Sequence, residues 1–289
     1  MKWWFGFFYC FFAITAFSCE VIDDTDRKII LPHVATRIVS LAPDLTENLF
    51  EIGAGSKIVG VVKGSDYPIS AKKIRIIGSY DHIDQEAILS LHPDLIVAWA
   101  DSRFVSLLKK LGVPFYLSKP TKIIDIPYTL ERLGCLTGNS NAAKKSAVAF
   151  QKRYAILKNK HTHKKNLTLF YQIWFNPLMT VTQKSWIHDA ITLCGAQNIF
   201  ANLRGVAPTV NLEAVIEANP EIILANDDDT LFKKHWEPWK RIRAVKNQNL
   251  YTIPSDLIER ASIRVLDGVE RICEIVSHAS ELGSFGVVK

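Results

Sequence analysis

Residues 86–98 read EAILSLHPDLIVA, and residues 213–225 read EAVIEANPEIILA. The two segments align without a gap. Each opens on Glu, continues with helical apolar spacing, and meets Pro at the same place (Pro93, Pro220). An acid follows (Asp94, Glu221), then a short apolar run. Proline cannot continue a helix, so a helix stops there. An unbroken apolar run of this length suits a parallel strand covered on both faces. The chain therefore holds one helix–Pro–strand unit twice, 127 residues apart. That period is too long for a solenoid and predicts a unit duplicated between two lobes.

Around each unit, strands and helices alternate. RIVSL (37–41), KIVGVV (57–62), DLIVAWA (94–100) and PFYLSK (114–119) read as strands of the first half. LTLFYQIW (167–174), EIILAN (221–226) and LYTIPS (250–255) read as strands of the second. TENLFEIG, SRFVSLLKKLG, SWIHDAITLCG and the closing ASIRVLDGVERICEIVSHASEL read as helices. Such alternation predicts parallel sheets with helices on both faces. Between the halves, Ala143, Ala147, Phe150, Tyr154 and Leu157 form one apolar stripe on a long helix that Asn139 or Ser140 can cap. The expected fold is α/β: two lobes with parallel sheets flanked by helices, joined by one long helix. The expected divisions are a signal peptide (1–18), an N-terminal linker (19–36), an N-lobe (37–125), a helical connector (126–165) and a C-lobe (166–289). Ligands of such sheets bind outside the carboxyl ends of the strands, here in the crevice between the lobes.

The leader, MKWWFGFFYCFFAITAFS, has one Lys, an apolar run and small residues at Ala16 and Ser18. That is the pattern of a secretory signal peptide, too short to span a bilayer comfortably. Cleavage after Ser18 is expected. Cys19 follows directly, so a lipid anchor there is the alternative, against which stand Ala16 and the bulky Phe17.

The chain can bury a core: 48% of its 289 residues are hydrophobic and 22% charged. The net charge of +6 is mild. KNKHTHKK (158–165) and the group Lys233, Lys234, Lys240, Arg241, Arg243 read as solvated faces, and export argues against a nucleic-acid partner. Of five cysteines, Cys10 lies in the leader. Cys135, on an apolar helical face, reads as a buried free thiol. Cys194 and Cys273 each end an apolar helical pattern, and an oxidising compartment favours a disulfide between them, although spacing does not show them adjacent.

Catalytic signatures are poor. GxSxG, HExxH and CxxC do not occur. GAGSK (53–57) lacks phosphate-loop spacing, NDDDT (226–230) reads as a solvated acidic loop, and His161 and His163 read as a helix end. No catalytic residue, catalytic cofactor or metal site is expected.

The residues just after the strands are more telling. They are Pro43 and Asp44, the run from Lys63 to Pro68, Tyr80, Trp99, Trp174 with Phe175 and Met179, a loop around Ala207, and Asp256 with Arg260. Tyr80, Trp99, Trp174 and Met179 suggest a broad slot for a bulky, flat, amphipathic ligand. Asp256 and Arg260 also have the i,i+4 spacing of a salt-bridged helix start. Glu86 and Glu213 sit where a helix dipole favours an acid. Duplication would place them symmetrically on one rim, where two carboxylates can dock onto two basic sites of a partner.

These stretches resemble the periplasmic cobalamin-binding proteins of vitamin B12 ABC importers, within the long-helix class of substrate-binding proteins. The resemblance runs from about Arg37 to His278. RIVSLAPDLTE, SDYP, EAILSLHPDLIVAW, QIWFNPLMT with LCGAQNIF, and SDLIERASIR followed by Cys273 carry it. It implies a monomeric, non-enzymatic carrier that holds cobalamin between two lobes and delivers it to the permease subunits of a membrane ABC importer. It further implies that Trp99 and Tyr80 pack on the ligand and that Pro43 and Asp44 lie in its first binding loop. Asp256 and Arg260 match residues that hydrogen-bond the ligand from the C-lobe. Glu86 and Glu213 match acids that engage permease arginines, and Cys194 and Cys273 match a family disulfide. Three positions depart from the pattern: Gly64 and Ala207 replace aromatics, and Met179 replaces Phe, while Trp174 is an added aromatic. The nearest alternative is a haem or ferric-siderophore carrier of the same fold. A lower one is an exported hydrolase using carboxylates across the cleft, which predicts a buried acid pair.

Overall fold

A computed structural model describes residues 19–161, 166–227 and 231–285. The leader, His163 and most of the NDDDT loop lie outside them. Among the described residues, no helix is long and apolar enough to cross a membrane.

Residues 19–36 are not a plain linker. They begin with an antiparallel hairpin of β1 (Cys19–Ile22) and β2 (Lys28–Leu31). Strict alternation is the cause: Cys19, Val21, Ile29 and Leu31 are buried, and the residues between them are exposed. The turn is closed by the buried carboxylate of Asp23, which accepts from the backbone N–H groups of Thr25 and Arg27 and from the Arg27 guanidinium.

In the N-lobe, β3 (Ile38–Ser40), β4 (Ile58–Val61), β5 (Leu95–Trp99) and β6 (Phe115–Ser118) form a parallel sheet in the order β4-β3-β5-β6. Its helices are α1 (Pro43–Glu51), α2 (Gln85–Ser90) and α3 (Val105–Leu108). The connector comprises α4 (Ile126–Thr137) and α5 (Ser140–Lys160). In the C-lobe, β7 (Thr168–Gln172), β8 (Gln197–Asn198), β9 (Ile222–Asn226) and β10 (Leu250–Ile253) form a second parallel sheet, in the order β8-β7-β9-β10. Around it lie α6 (Trp186–Leu193), α7 (Leu212–Ala218), α8 (Phe232–Trp236), α9 (Arg243–Lys246), α10 (Ser255–Ile258) and α11 (Val265–Phe285). The two sheets share one topology, so duplication extends from the repeated segment to the whole lobe.

Each sheet is covered on both faces. Along β5, Leu95 and Val97 enter one core, and Ile96 and Ala98 enter the other. Along β9, Ile222 and Leu224 alternate in the same way with Ile223 and Ala225. The repeat explains its own turns. His92 and Asn219, each just before Pro, adopt left-handed φ values of 46° and 47° and end α2 and α7. The next acid then pins the first strand of its lobe. Asp94 accepts from the N–H groups of Thr36 and Arg37, and Glu221 accepts from that of Thr168.

Both connector helices cross between the lobes. On α4, Ile126 packs in the C-lobe core, and Leu130, Leu133 and Leu136 pack in the N-lobe core. On α5, Ala143 joins the N-lobe core, whereas Phe150 and Leu157 join the C-lobe core. Gly138 ends α4 at φ 73°. Gly134 permits close approach, since a Cβ there would lie 2.3 Å from the Cβ of Ala143. A 21-residue helix spans about 30 Å, enough to brace both lobes.

Cys135 is not a free thiol. It is disulfide-bonded to Cys19 and ties the hairpin to α4. The sulfur of Cys19 is thereby engaged, and it cannot also carry the thioether of a lipid anchor. Sequence reading missed the pair because β1 was not recognised as a strand lying on α4. A second disulfide joins Cys194, just after α6, to Cys273 in α11.

Candidate ligand-binding cleft

The N-lobe side of the cleft is built at the ends of β3, β4 and β5. Chain leaving β3 turns at Ala42 in extended conformation, and Pro43, pre-set for helix, opens α1. Trp99 closes β5 and donates its indole N–H to Oδ1 of Asp44 at 2.8 Å. Asp44 is only 1% exposed, so its carboxyl orients Trp99 and has no solvent face of its own. Burial pushes its pKa up to about 7, against the opposing pull of the Trp99 N–H and the N–H groups at the start of α1. The Tyr80 ring lies 6.5 Å from that of Trp99 and is 68% exposed. Gly64 adopts φ +92°, and a side chain there would meet only Pro43 Cγ, at 3.7 Å. The position where the family pattern carries an aromatic is thus open space beside Pro43.

The C-lobe contributes Trp174, beyond β7 and 55% exposed, with its indole N–H donated to the carbonyl of Asn176 at 2.9 Å. Met179 is half-buried and bridges the backbone of Trp174 on one side and Thr209 on the other. Phe175 is stacked on His235, ring centroids 3.8 Å apart. Ala207 is exposed on the adjoining loop.

The segment 255–265 departs from the expected helical pair. α10 is a single turn that ends at Ile258, so Asp256 and Arg260 lack i,i+4 geometry. Asp256 instead accepts from Arg264 Nη2 at 2.6 Å. Arg260 reaches into the N-lobe, where its Nη1 lies 2.8 Å from Glu47 Oε1 and 2.8 Å from Asp66 Oδ1. Arg264 Nη1 also approaches Glu47, at 3.3 Å, and its guanidinium lies 3.9 Å above the Tyr67 ring. Ser262 donates to Glu47 Oε2 at 2.6 Å, and Asn48 donates to the carbonyl of Ala261 at 3.0 Å. Ile263 packs against both lobe cores. Glu47 is 3% exposed, so the centre of this polar clasp is buried at the lobe boundary.

Glu86 and Glu213 occupy equivalent places. Each is the second residue of its helix, behind a capping side chain, Asp84 for α2 and Asn211 for α7. Both are exposed.

A family model described as periplasmic binding protein matches residues 38–257. The chain belongs to the periplasmic binding protein family. It is 33% identical over 244 residues to the Vitamin B12-binding protein of Vibrio campbellii, covering 83% of this chain and 89% of that one. Against the Vitamin B12-binding protein of Vibrio cholerae it is 30% identical over 273 residues, covering 93% and 99%. The crystal structure of the periplasmic vitamin B12 binding protein BtuF of Vibrio cholerae superposes with a TM-score of 0.79 at 32% identity, covering 85% of this chain and 98% of that one. The haem-binding RhuT of Roseiflexus superposes at 0.75 but is 19% identical, a likeness of fold alone.

For this periplasmic binding protein, sequence reasoning singled out the aromatic residues Tyr80, Trp99 and Trp174 and missed much of the polar clasp. Glu47, Asn48, Ser262 and Arg264 were not singled out. The signals were present: Glu47 and Asn48 interrupt an apolar helix, and ERASIR holds two arginines four apart. Neither signal says that the two segments meet. Two disulfides are consistent with an oxidising compartment.

Proposed function

We propose that this protein captures cobalamin in the cleft between its lobes and delivers it to the permease of a membrane ABC importer. The reading rests on the match, over most of both chains, to proteins named for vitamin B12 binding. The cleft geometry supports it. Tyr80 and Trp174 are exposed and Trp99 is half-buried, all beyond or at strand ends, and a flat macrocycle would cover the apolar surface they leave in water. A ring that loses about 100 Å² of apolar area contributes roughly 2.5 kcal/mol. Pro43 and the open space at Gly64 complete the N-lobe wall, and Met179 lines the C-lobe side. Asp44 acts by fixing Trp99. Arg260 offers the donors that its ion pairs leave free, and Asp256 serves by holding Arg264.

We read the protein as a monomeric carrier and not as an enzyme. The buried acids beside the cleft, Asp44 and Glu47, are bound by an indole N–H and by guanidinium and hydroxyl groups respectively, an arrangement suited to structure rather than proton transfer. Glu86 and Glu213, equivalent and exposed on the two lobes, would dock onto basic residues of the permease. No nucleic-acid partner is proposed. The test is titration of purified protein with cyanocobalamin, haem and a ferric siderophore, followed by tryptophan fluorescence. Saturable cobalamin binding at micromolar concentration or tighter, and weaker binding of the other two, is the expected result. Absence of saturable cobalamin binding overturns the proposal.

A further inference from the structure

Arg260 carries two carboxylates on one nitrogen, and they differ in kind. Glu47 is buried and shared with Arg264 and Ser262, as a structural pin would be. Asp66 stands on the loop after β4 with its side chain 52% exposed, and among the described residues its ion pair is with Arg260. A guanidinium at a strand end in a ligand cleft is ordinarily a receptor for a carboxylate, which it can take in bidentate fashion. Here its charge is already matched by carboxylates held on Nη1. Three carboxylates (Glu47, Asp66, Asp256) face two guanidiniums (Arg260, Arg264), leaving one net negative charge.

The consequence depends on the ligand's rim. An incoming carboxylate must displace Asp66 or sit beside it, and like charges held a few ångströms apart near protein repel strongly. A neutral amide pays no such cost. It can accept from the Nε and Nη2 donors of Arg260, which the pairs through Nη1 leave available.

Resting on the cobalamin reading above, we infer that Asp66 is a specificity-determining residue: it adds the surplus negative charge beside Arg260, so that the cleft admits a flat macrocycle rimmed with amides and rejects one rimmed with carboxylates. Discrimination thus comes from a repulsive element as well as from attractive contacts. Because the Asp66 side chain is half in solvent, its replacement should leave the fold intact.

The experiment compares cyanocobalamin with cobyrinic acid, the same corrin ring with carboxylic acids in place of the amide side chains and without the nucleotide loop, a difference that cancels when each variant's ratio is set against that of wild type. Fluorescence titrations would use wild type, Asp66→Asn, Asp66→Ser, the double variant Asp66→Asn with Arg260→Gln, and Glu131→Gln at an exposed site on α4. Thermal unfolding would verify that each is folded. Both Asp66 variants are expected to improve cobyrinic acid affinity relative to cobalamin by about tenfold, the scale of one removed like-charge contact. Adding Arg260→Gln should abolish the gain, and Glu131→Gln should not produce it. A ratio within about threefold of wild type in both Asp66 variants overturns the inference. So does a gain that survives loss of Arg260, or one that Glu131→Gln reproduces. Wild-type protein that binds neither corrinoid overturns the cobalamin reading, and this inference with it. Wild type that binds cobalamin, with the ratio unmoved by the Asp66 variants, sinks this inference alone.

Discussion

Arg260 of the C-lobe and Glu47 of the N-lobe meet at 2.8 Å across the lobe boundary. Sequence places them more than two hundred residues apart, yet they form the centre of the clasp that sets how the lobes face each other. Glu47 is the buried partner of the pair, and its removal would leave two half-buried guanidiniums without their shared anion.

Loss of that anion should therefore be costly. Glu47→Ala is expected to reduce stability by about 3–5 kcal/mol, the scale for breaking a buried ion pair from one side. Asp66→Ala, which removes the exposed partner of the same guanidinium, should cost under about 1 kcal/mol. Urea unfolding at one pH compares them. Equal losses would contradict the assignment of Glu47 as the structural arm and Asp66 as the exposed one.

Asp44 gives a pH signature. Its pKa in the fold is raised to about 7, from an ordinary carboxyl value of 3.8. Between those values the folded chain keeps a proton that the unfolded chain loses, so this group makes stability fall as pH rises from about 4 to about 7 and level off above. Asp44→Asn keeps an acceptor for Trp99 and removes the titration. Its melting temperature relative to wild type should therefore be higher at pH 8 than at pH 4. In wild type, Trp99 fluorescence should titrate with a midpoint near 7. A difference between the two proteins that does not vary with pH would refute this account.

The hairpin staple is open to mass spectrometry. Peptide mapping without reductant should recover Cys19 linked to Cys135 and Cys194 linked to Cys273, with no lipid on Cys19. The first bond closes a long loop, with a sequence separation of 116. Replacing both Cys19 and Cys135 by Ser should cost about 2–4 kcal/mol. Lipid-modified Cys19 in mature protein would exclude the bond.

On the proposed docking role, Glu86 and Glu213 bear on transport and not on capture. Reversing both to Lys should leave cobalamin affinity within about twofold, since each is exposed in a first helical turn and surface changes there are small. Uptake by vesicles that contain the cognate importer should collapse. A variant that loses ligand affinity would show that these acids belong to the cleft.

Much of the fold was legible because it is encoded locally. Apolar runs at 95–99 and 222–226 had to be strands buried on both faces, and the repeated Pro fixed where the preceding helices end. The hairpin at 19–31 was also written in alternation, but short segments next to a leader carry a weak signal. Tyr80, Trp99 and Trp174 were legible as large groups on loops and strand ends. The role of Asp44 was not, because its partner, Trp99, is 55 residues away. The expected Asp256–Arg260 pair failed for a local reason: a one-turn helix ends between them, and each finds a different partner.

By itself, then, the sequence determined the duplication, the alternation of strands and helices, the bridging stripe on α5 and the ends of the strands where a ligand would sit. These follow from periodicity and backbone chemistry, which act over a few residues. Only the tertiary structure decided that Cys135 belongs to Cys19, that Asp44 serves Trp99, and that Arg260 is shared by Glu47 and Asp66. A buried charge or thiol takes whatever partner packing brings within bonding distance, and that distance is set by how two sheets and two crossing helices settle against each other.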